Sequence, residues 1–317
     1  MIALELFLFL FFLAIAIKSA DYAIKYSTRI ARIFRFPEFI VSFFMIAIIS
    51  VLPEAVISII SAFKGTPELG LGTLLGSNIA DLTLVFGIVA LFSNGGIKVR
   101  SKILRNNMFY LFLLLFPLIL GLDGKFSRID GGVLVLLGII FFFRIYSQSH
   151  HFSKRLDKIK KGNIVKDILI LTLSLAFLLA GAYLTVNYAT SFAEKANIPK
   201  VIIGVTILAF GTCLPELIFS IKAVKKNHDE LALGDILGTV VTDATIVLGL
   251  VALISPFNYE VHNIYILGGA MFIAGIFAIL FMKSDKTLKK GEGVILILDY
   301  ILFVILEFLM NKLYLPK

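Results

Sequence analysis

Two octapeptides decide how this chain is read: AIISVLPE at residues 47–54 and AFGTCLPE at residues 209–216. Both end in Leu-Pro-Glu, and both sit in the middle of apolar runs, IVSFFMIAIISVLPEAVISIISAF (40–63) and VIIGVTILAFGTCLPELIFSI (201–221). They lie 162 residues apart. Sliding the chain by that interval aligns 37–93 with 199–255 without a gap, and 23 of the 57 positions are identical. Apolar composition alone would match Leu, Ile and Val. Here Pro37 meets Pro199, Ala47 meets Ala209, Ser58 meets Ser220, Gly72 meets Gly234, Gly76 meets Gly238, Asp81 meets Asp243 and Gly87 meets Gly249. That is an internal repeat, the feature to settle before any other.

Working outward, the whole chain has the composition of such segments. Of 317 residues 59% are hydrophobic and 16% charged, with 30 phenylalanines and a mean hydropathy of +0.98. Soluble domains have about 45–50% apolar and about 25% charged residues, so a soluble globular protein is excluded, as are disorder and, with one cysteine, an internal disulfide framework. The net charge of +9 does not indicate nucleic acid, because no stretch is long enough to form a basic soluble domain. Cys213, inside an apolar segment, behaves as a small hydrophobe.

Runs of about 20 apolar residues are long enough to cross a bilayer. Ten are read, at 2–22, 37–62, 69–92, 103–121, 130–147, 166–187, 200–222, 231–254, 263–282 and 293–312. The fold class is therefore an all-α integral membrane protein. The first run is a span rather than a cleaved leader, because Glu5 stands where a leader carries positive charge and the apolar stretch is too long. Connections following odd-numbered spans carry 22 lysines and arginines, and the opposite side carries 7. The positive-inside rule places the 22 in the cytoplasm and both termini outside a multi-pass plasma-membrane protein.

The expected organisation is a first five-helix unit at 1–147, a basic cytoplasmic loop at 148–165 and a second five-helix unit at 166–317. Five is odd, so the second unit enters the membrane from the opposite side and the repeat is inverted. Inverted repeats with broken helices in matching positions are a common construction of secondary transporters, with the substrate near the midplane. In the loop, His150 and His151 are too few to argue for a metal, and the basic residues read as a solvated face.

The repeated segments carry the chemistry. A carboxylate at the centre of a spanning helix costs about 2.5 kcal/mol or more on insertion scales, so it requires a partner, a cation or water. No basic residue lies at a comparable depth near Glu54 or Glu216. Pro53 and Pro215 lack the N–H that would bond the carbonyls of Ile49 and Gly211, and freed carbonyls at membrane depth are cation ligands. The next span of each half supplies Ser77 and Asp81, then Thr239 and Asp243, while Gly72 with Gly76 and Gly234 with Gly238 space small residues for close packing. Four carboxylates, hydroxyls and carbonyls without sulfur or imidazole suit a hard cation such as Ca²⁺.

Gly211-Thr212-Cys213-Leu214-Pro215-Glu216 is similar to the G-T-S-L-P-E motif, and Gly76-Ser77-Asn78-Ile79 to the G-S-N-I motif, of the calcium/cation antiporter superfamily. The chain most resembles its Na⁺/Ca²⁺ exchanger branch. The resemblance implies Glu54 and Glu216 as central Ca²⁺ ligands. It also implies that the carbonyls of Ala47, Ser50, Ala209 and Thr212, with the Ser77 and Thr239 hydroxyls, complete the cation sites. The chain departs from the family pattern at Val51 and Cys213, each in place of a serine, and at Thr239-Val240, in place of Ser-Asn. Fewer hydroxyls weaken Na⁺ coordination more than Ca²⁺ coordination.

The functional expectation is an antiporter, not an enzyme, exporting Ca²⁺ against monovalent cations by alternating access. Na⁺ ranks first as coupling ion on overall likeness. H⁺, carried by Asp81 and Asp243, ranks second, and K⁺ assistance stays open. A passive channel fits the broken acidic helices less well. An intramembrane aspartyl enzyme leaves Glu54, Glu216 and both prolines unexplained. No cofactor, nucleic acid or obligate protein partner is expected, only the bilayer and inorganic cations.

Overall fold

A computed structural model describes residues 2–33, 47–99, 108–148, 164–259 and 261–314. Residues 34–46, 100–107 and 149–163 lie outside the described residues, and with them the start of the first repeated segment, His150, His151 and most of the basic loop.

Among the described residues seven helical stretches are long and apolar enough to cross a membrane: 2–23, 67–92, 128–147, 164–196, 200–225, 229–254 and 264–283. Two shorter apolar helices, at 52–63 and 109–123, coincide with the expected spans 37–62 and 103–121, of which residues 37–46 and 103–107 are not described. The expected span 293–312 forms a helix but is not among the seven.

In chain order the helices are α1 (Ile2–Ile33), α2 (Ala47–Ser50), α3 (Leu52–Phe63), α4 (Pro67–Ala80), α5 (Phe86–Phe92), α6 (Met108–Leu120), α7 (Arg128–Gln148) and α8 (Ile164–Ala196). They continue as α9 (Lys200–Ile203), α10 (Ala209–Thr212), α11 (Leu214–Lys225), α12 (Asp229–Val241), α13 (Leu248–Ile254), α14 (Val261–Lys283) and α15 (Lys290–Tyr314). Wider π-helical turns at Asp81–Val85, Gly204–Leu208 and Thr242–Val247 join α4 to α5, α9 to α10 and α12 to α13. Such turns insert one residue into the helical ladder and frequently mark functional positions. Two begin beside the paired aspartates Asp81 and Asp243.

Burial separates a centre from a periphery. In the spanning windows of 67–92 and 229–254, 83% of residues are buried, against 22% for the first helix and 28% for α8. The periphery turns large apolar side chains outward, among them Phe7, Phe143, Val165, Phe177 and Leu298. Lipid is as apolar as these side chains, so the centre is held by close packing of small residues. A methyl group on Gly76 would stand 2.8 Å from Val205 Cα, and one on Gly72 would stand 2.6 Å from the Val201 carbonyl oxygen. Those glycines let α4 lie against α9 and α10. Likewise Gly87 faces the Gly293 carbonyl and Gly249 the Gly131 carbonyl, closing α5 onto α15 and α13 onto α7.

α1 and α8 run along one another. They carry ion pairs at both ends, Glu5 with Lys195 and Arg29 with Asp167, the second at 3.0 Å. Two short antiparallel ribbons complete the frame, β1 (Ile97–Lys98) with β4 (Thr287–Leu288) and β2 (Lys125–Phe126) with β3 (Phe257–Asn258).

Candidate functional site

Both Leu-Pro-Glu segments break their helices. The backbone leaves regular α-helix at Val51 and Cys213, and each proline falls in the first turn of the helix that follows, α3 or α11. Proline is well accommodated there because the amide it lacks would have been unpaired in any case. Glu54 and Glu216 therefore occupy the first turn of a new helix, where unsatisfied N–H groups favour negative charge. The carbonyl ends of α2 and α10 meet the same breaks, so each break exposes both polarities of the backbone in the interior.

All ten residues expected at the site are fully buried: Ala47, Ser50, Glu54, Ser77, Asp81, Ala209, Thr212, Glu216, Thr239 and Asp243. Contacts across the two halves join them. The Ser50 and Thr239 hydroxyls are 3.0 Å apart, and the Ser77 hydroxyl donates to Asp243 Oδ2 at 3.2 Å. Cys213 Sγ lies 3.6 Å from the Ser77 carbonyl. Glu54 is close enough to Asp243, Asp81 and Asp235 to interact electrostatically, and Glu216 is likewise close to Glu54, Asp81 and Asp235.

The electrostatic character of this cluster is unusual for a protein interior. Both carboxylate oxygens of Glu54, Glu216 and Asp81, and Oδ1 of Asp243, are buried without a hydrogen-bond partner. Buried polar groups are nearly always satisfied, and buried charges are paired or coordinate cations. No lysine or arginine pairs with these four acids among the described ion pairs. Nor do three or more His, Cys, Asp or Glu side chains converge on one point as a closed metal cage among the described residues. Oxygen ligands for a cation at each break would thus combine one or two carboxylates with carbonyls and hydroxyls. That mixture suits hard cations of the Ca²⁺ and Na⁺ type.

The carbonyls implied as ligands are partly engaged. The Ala47 oxygen accepts from Val51 N at 3.2 Å and has Ser50 Oγ at 3.3 Å. The Ala209 oxygen accepts from Cys213 N and from Thr212 Oγ1, each at 3.2 Å.

One acid was not anticipated from the sequence. Asp235, on α12 one turn before Thr239, is fully buried, with Ser50 Oγ donating to its Oδ1 at 3.1 Å and Ser220 Oγ to its Oδ2 at 3.4 Å. The signal was present, since an aspartate inside the span 231–254 is as costly as Asp243. A search for identical pairs passes over it, because its counterpart 162 residues earlier is Thr73.

Comparison with known proteins agrees with this architecture. Residues 4–146 and 166–309 match the model of the family described as sodium/calcium exchanger protein. The sodium/calcium exchanger MaX1 of Methanosarcina acetivorans is 26% identical, with 97% of this chain and 99% of that protein covered. An uncharacterized membrane protein of Methanocaldococcus jannaschii, MJ0091, is 31% identical over 93% of this chain and 95% of its own length. A solved structure of the sodium-calcium exchanger NCX_Mj superposes with a TM-score of 0.69 at 29% identity, covering 95% of this chain and 98% of that one. A multi-pass membrane transporter rather than an enzyme, this chain belongs to the sodium/calcium exchanger protein family.

Proposed function

We propose that the protein is a secondary antiporter that exports Ca²⁺ in exchange for Na⁺ by alternating access, with Glu54 and Glu216 as the central ligands. Ala47, Ser50, Ala209, Thr212, Ser77, Thr239, Asp81 and Asp243 complete the cation sites in this reading. The observation that carries it is the pair of breaks at Val51 and Cys213, each followed by a buried glutamate whose two oxygens lack partners. Anions left in that condition are stable only when cations arrive. One set of carboxylates can hold a divalent ion or monovalent ions in turn but cannot remain empty, and this competition couples the two fluxes.

The arrangement is read as ten helices in two inverted five-helix repeats, 1–147 and 166–317, with both termini outside and the loop 148–165 in the cytoplasm. Support comes from the 162-residue repeat, the matched helix breaks and the matched π-turns at Asp81 and Asp243. Alternating access then follows from rearranging one part of the fold about the acidic centre.

A second coupling ion has its own support. Val51 and Cys213 offer no hydroxyl to Na⁺, and Asp81 has two unpartnered oxygens beside the glutamates. Exchange of Ca²⁺ for H⁺ is the alternative.

The deciding experiment is Ca²⁺ uptake into vesicles of purified protein preloaded in turn with Na⁺, K⁺ or low-pH buffer. Uptake driven by an outward Na⁺ gradient is expected. Uptake driven only by the proton gradient selects the alternative, and uptake indifferent to every gradient overturns antiport in favour of a channel.

A further inference from the structure

Asp235 makes the two halves of the cation site chemically unequal. The Ser50 hydroxyl has one hydrogen and three oxygens in reach: Asp235 Oδ1 at 3.1 Å, Thr239 Oγ1 at 3.0 Å and the Ala47 carbonyl at 3.3 Å. A hydrogen bond to a carboxylate is roughly twice as strong as one between neutral groups, so with Asp235 ionised the Ser50 hydrogen goes to it. Two consequences follow. The Thr239 hydroxyl becomes the donor to Ser50 at 3.0 Å, and the Ala47 carbonyl keeps a lone pair unspent. Ser220 donates to the other carboxylate oxygen, which pins Asp235 between α2 and α11.

In the other half the same chemistry runs differently. Thr73 occupies the position equivalent to Asp235, and its hydroxyl donates to the Leu69 carbonyl of its own helix at 2.7 Å. With no carboxylate to take it, the Thr212 hydrogen goes to the Ala209 carbonyl at 3.2 Å. There the carbonyl that would face a cation is already occupied by a donor.

Resting on the antiport reading above, we propose that Asp235 is a positioning residue that orients Ser50 and releases the Ala47 carbonyl, so that the Ser50–Thr239 half of the site binds a monovalent cation more tightly than the Thr212–Ser77 half. The tighter half lies toward the connection between α11 and α12. In the topology proposed above that is the cytoplasmic side, so the asymmetry acts on release of the incoming ion rather than on its capture.

The test is Ca²⁺ flux measured against Na⁺ concentration on each face separately, in vesicles whose single protein orientation has been established by labelling. Four forms are compared: wild type, Asp235→Asn, Asp235→Thr and Thr73→Asp. The Asn and Thr variants at 235 are expected to raise the half-saturating Na⁺ concentration about tenfold on one face, the magnitude of one lost charge-assisted hydrogen bond. The opposite face stays unchanged, and Thr73→Asp lowers the half-saturating concentration on that opposite face. A fall in maximal rate without a one-sided shift, or equal shifts on both faces, overturns the proposal and leaves Asp235 a structural residue. Should wild-type flux itself ignore Na⁺, the antiport reading with Na⁺ fails independently. The same one-sided shift is then read in the half-saturation for K⁺ or H⁺, whichever drives Ca²⁺ flux.

Discussion

The acids of this protein fall into two groups with opposite circumstances. At the periphery, Glu5 and Asp167, also 162 residues apart, each meet a base on the partner helix, Lys195 and Arg29. In the centre, Glu54, Glu216 and Asp81 have no base and no donor at either oxygen. The chain thus satisfies acids with its own side chains where they fasten helices and leaves them without partners in the centre, as the proposed cation exchange requires. A resident lysine beside Glu54 would stabilise the fold and compete with the ion.

The sharpest way to break this contrast is Glu54→Gln or Glu216→Gln. Ca²⁺ flux in proteoliposomes is expected to fall about 100-fold or more, since neutralising one central acid removes the charge that opposes a divalent ion. The thermal midpoint in cation-free detergent should not fall, because an unpaired buried anion has been removed. Added Ca²⁺ should raise the midpoint of the wild type by mass action but not that of the variant. A parallel loss of stability and flux would instead mark the glutamates as structural.

Asp243→Asn sits between the groups, because one of its oxygens has the Ser77 donor and the other has none. Flux is expected to fall about tenfold, the scale of one altered charge-assisted contact, with the larger change in monovalent-cation dependence. Flux titrations with Na⁺ and with pH on separate samples check this.

Gly76→Ala tests the packing that holds the centre together. Its Cβ would stand 2.8 Å from Val205 Cα, a backbone atom that cannot rotate away. Overpacking of this kind costs about 1–3 kcal/mol. A lowered thermal midpoint with intact Ca²⁺ half-saturation is the expected pattern.

The smallest effects belong to the periphery. Arg29→Ala leaves Asp167 buried without its base, but the arginine is itself 42% exposed, so the loss is about 1 kcal/mol. Lys195→Ala, at the other end of the α1–α8 pair, should move the midpoint less. Both should transport Ca²⁺ normally, and abolished flux in either would erase the distinction between fastening acids and working acids.

Much of this was legible in the sequence because the strongest signals were local. Apolar runs set the helices, and the runs 69–92, 130–147 and 263–282 fall within two or three residues of the helical stretches observed. Leu-Pro-Glu placed the breaks, and the four expected acids all lie in the buried centre. The misses have physical reasons. α1 extends to Ile33 and α8 to Ala196, well past the expected 22 and 187, because their ends are helical but polar, and hydropathy measures solvent rather than backbone. The ribbons involve two residues per strand, too short for any periodicity to register. Asp235 was missed because comparison of the repeats favours what is shared, and its importance lies in not being shared. The π-turns leave no compositional trace, since they depend on how α4 and α12 must widen among their neighbours.

The glycine contacts have a further consequence for symmetry. Gly87 meets Gly293 and Gly249 meets Gly131; moving either pair by 162 positions exchanges the partners and returns the other. The ribbons follow this only loosely: 125–126 move onto 287–288, but these pair with 97–98, two residues beyond the counterparts of 257–258. A contact that occurs twice with its members swapped is what a two-fold interface between identical subunits produces. The glycine contacts thus have the pattern of a two-fold interface within one polypeptide, and a single polypeptide lets the two sides differ, with threonine at position 73 and aspartate at 235.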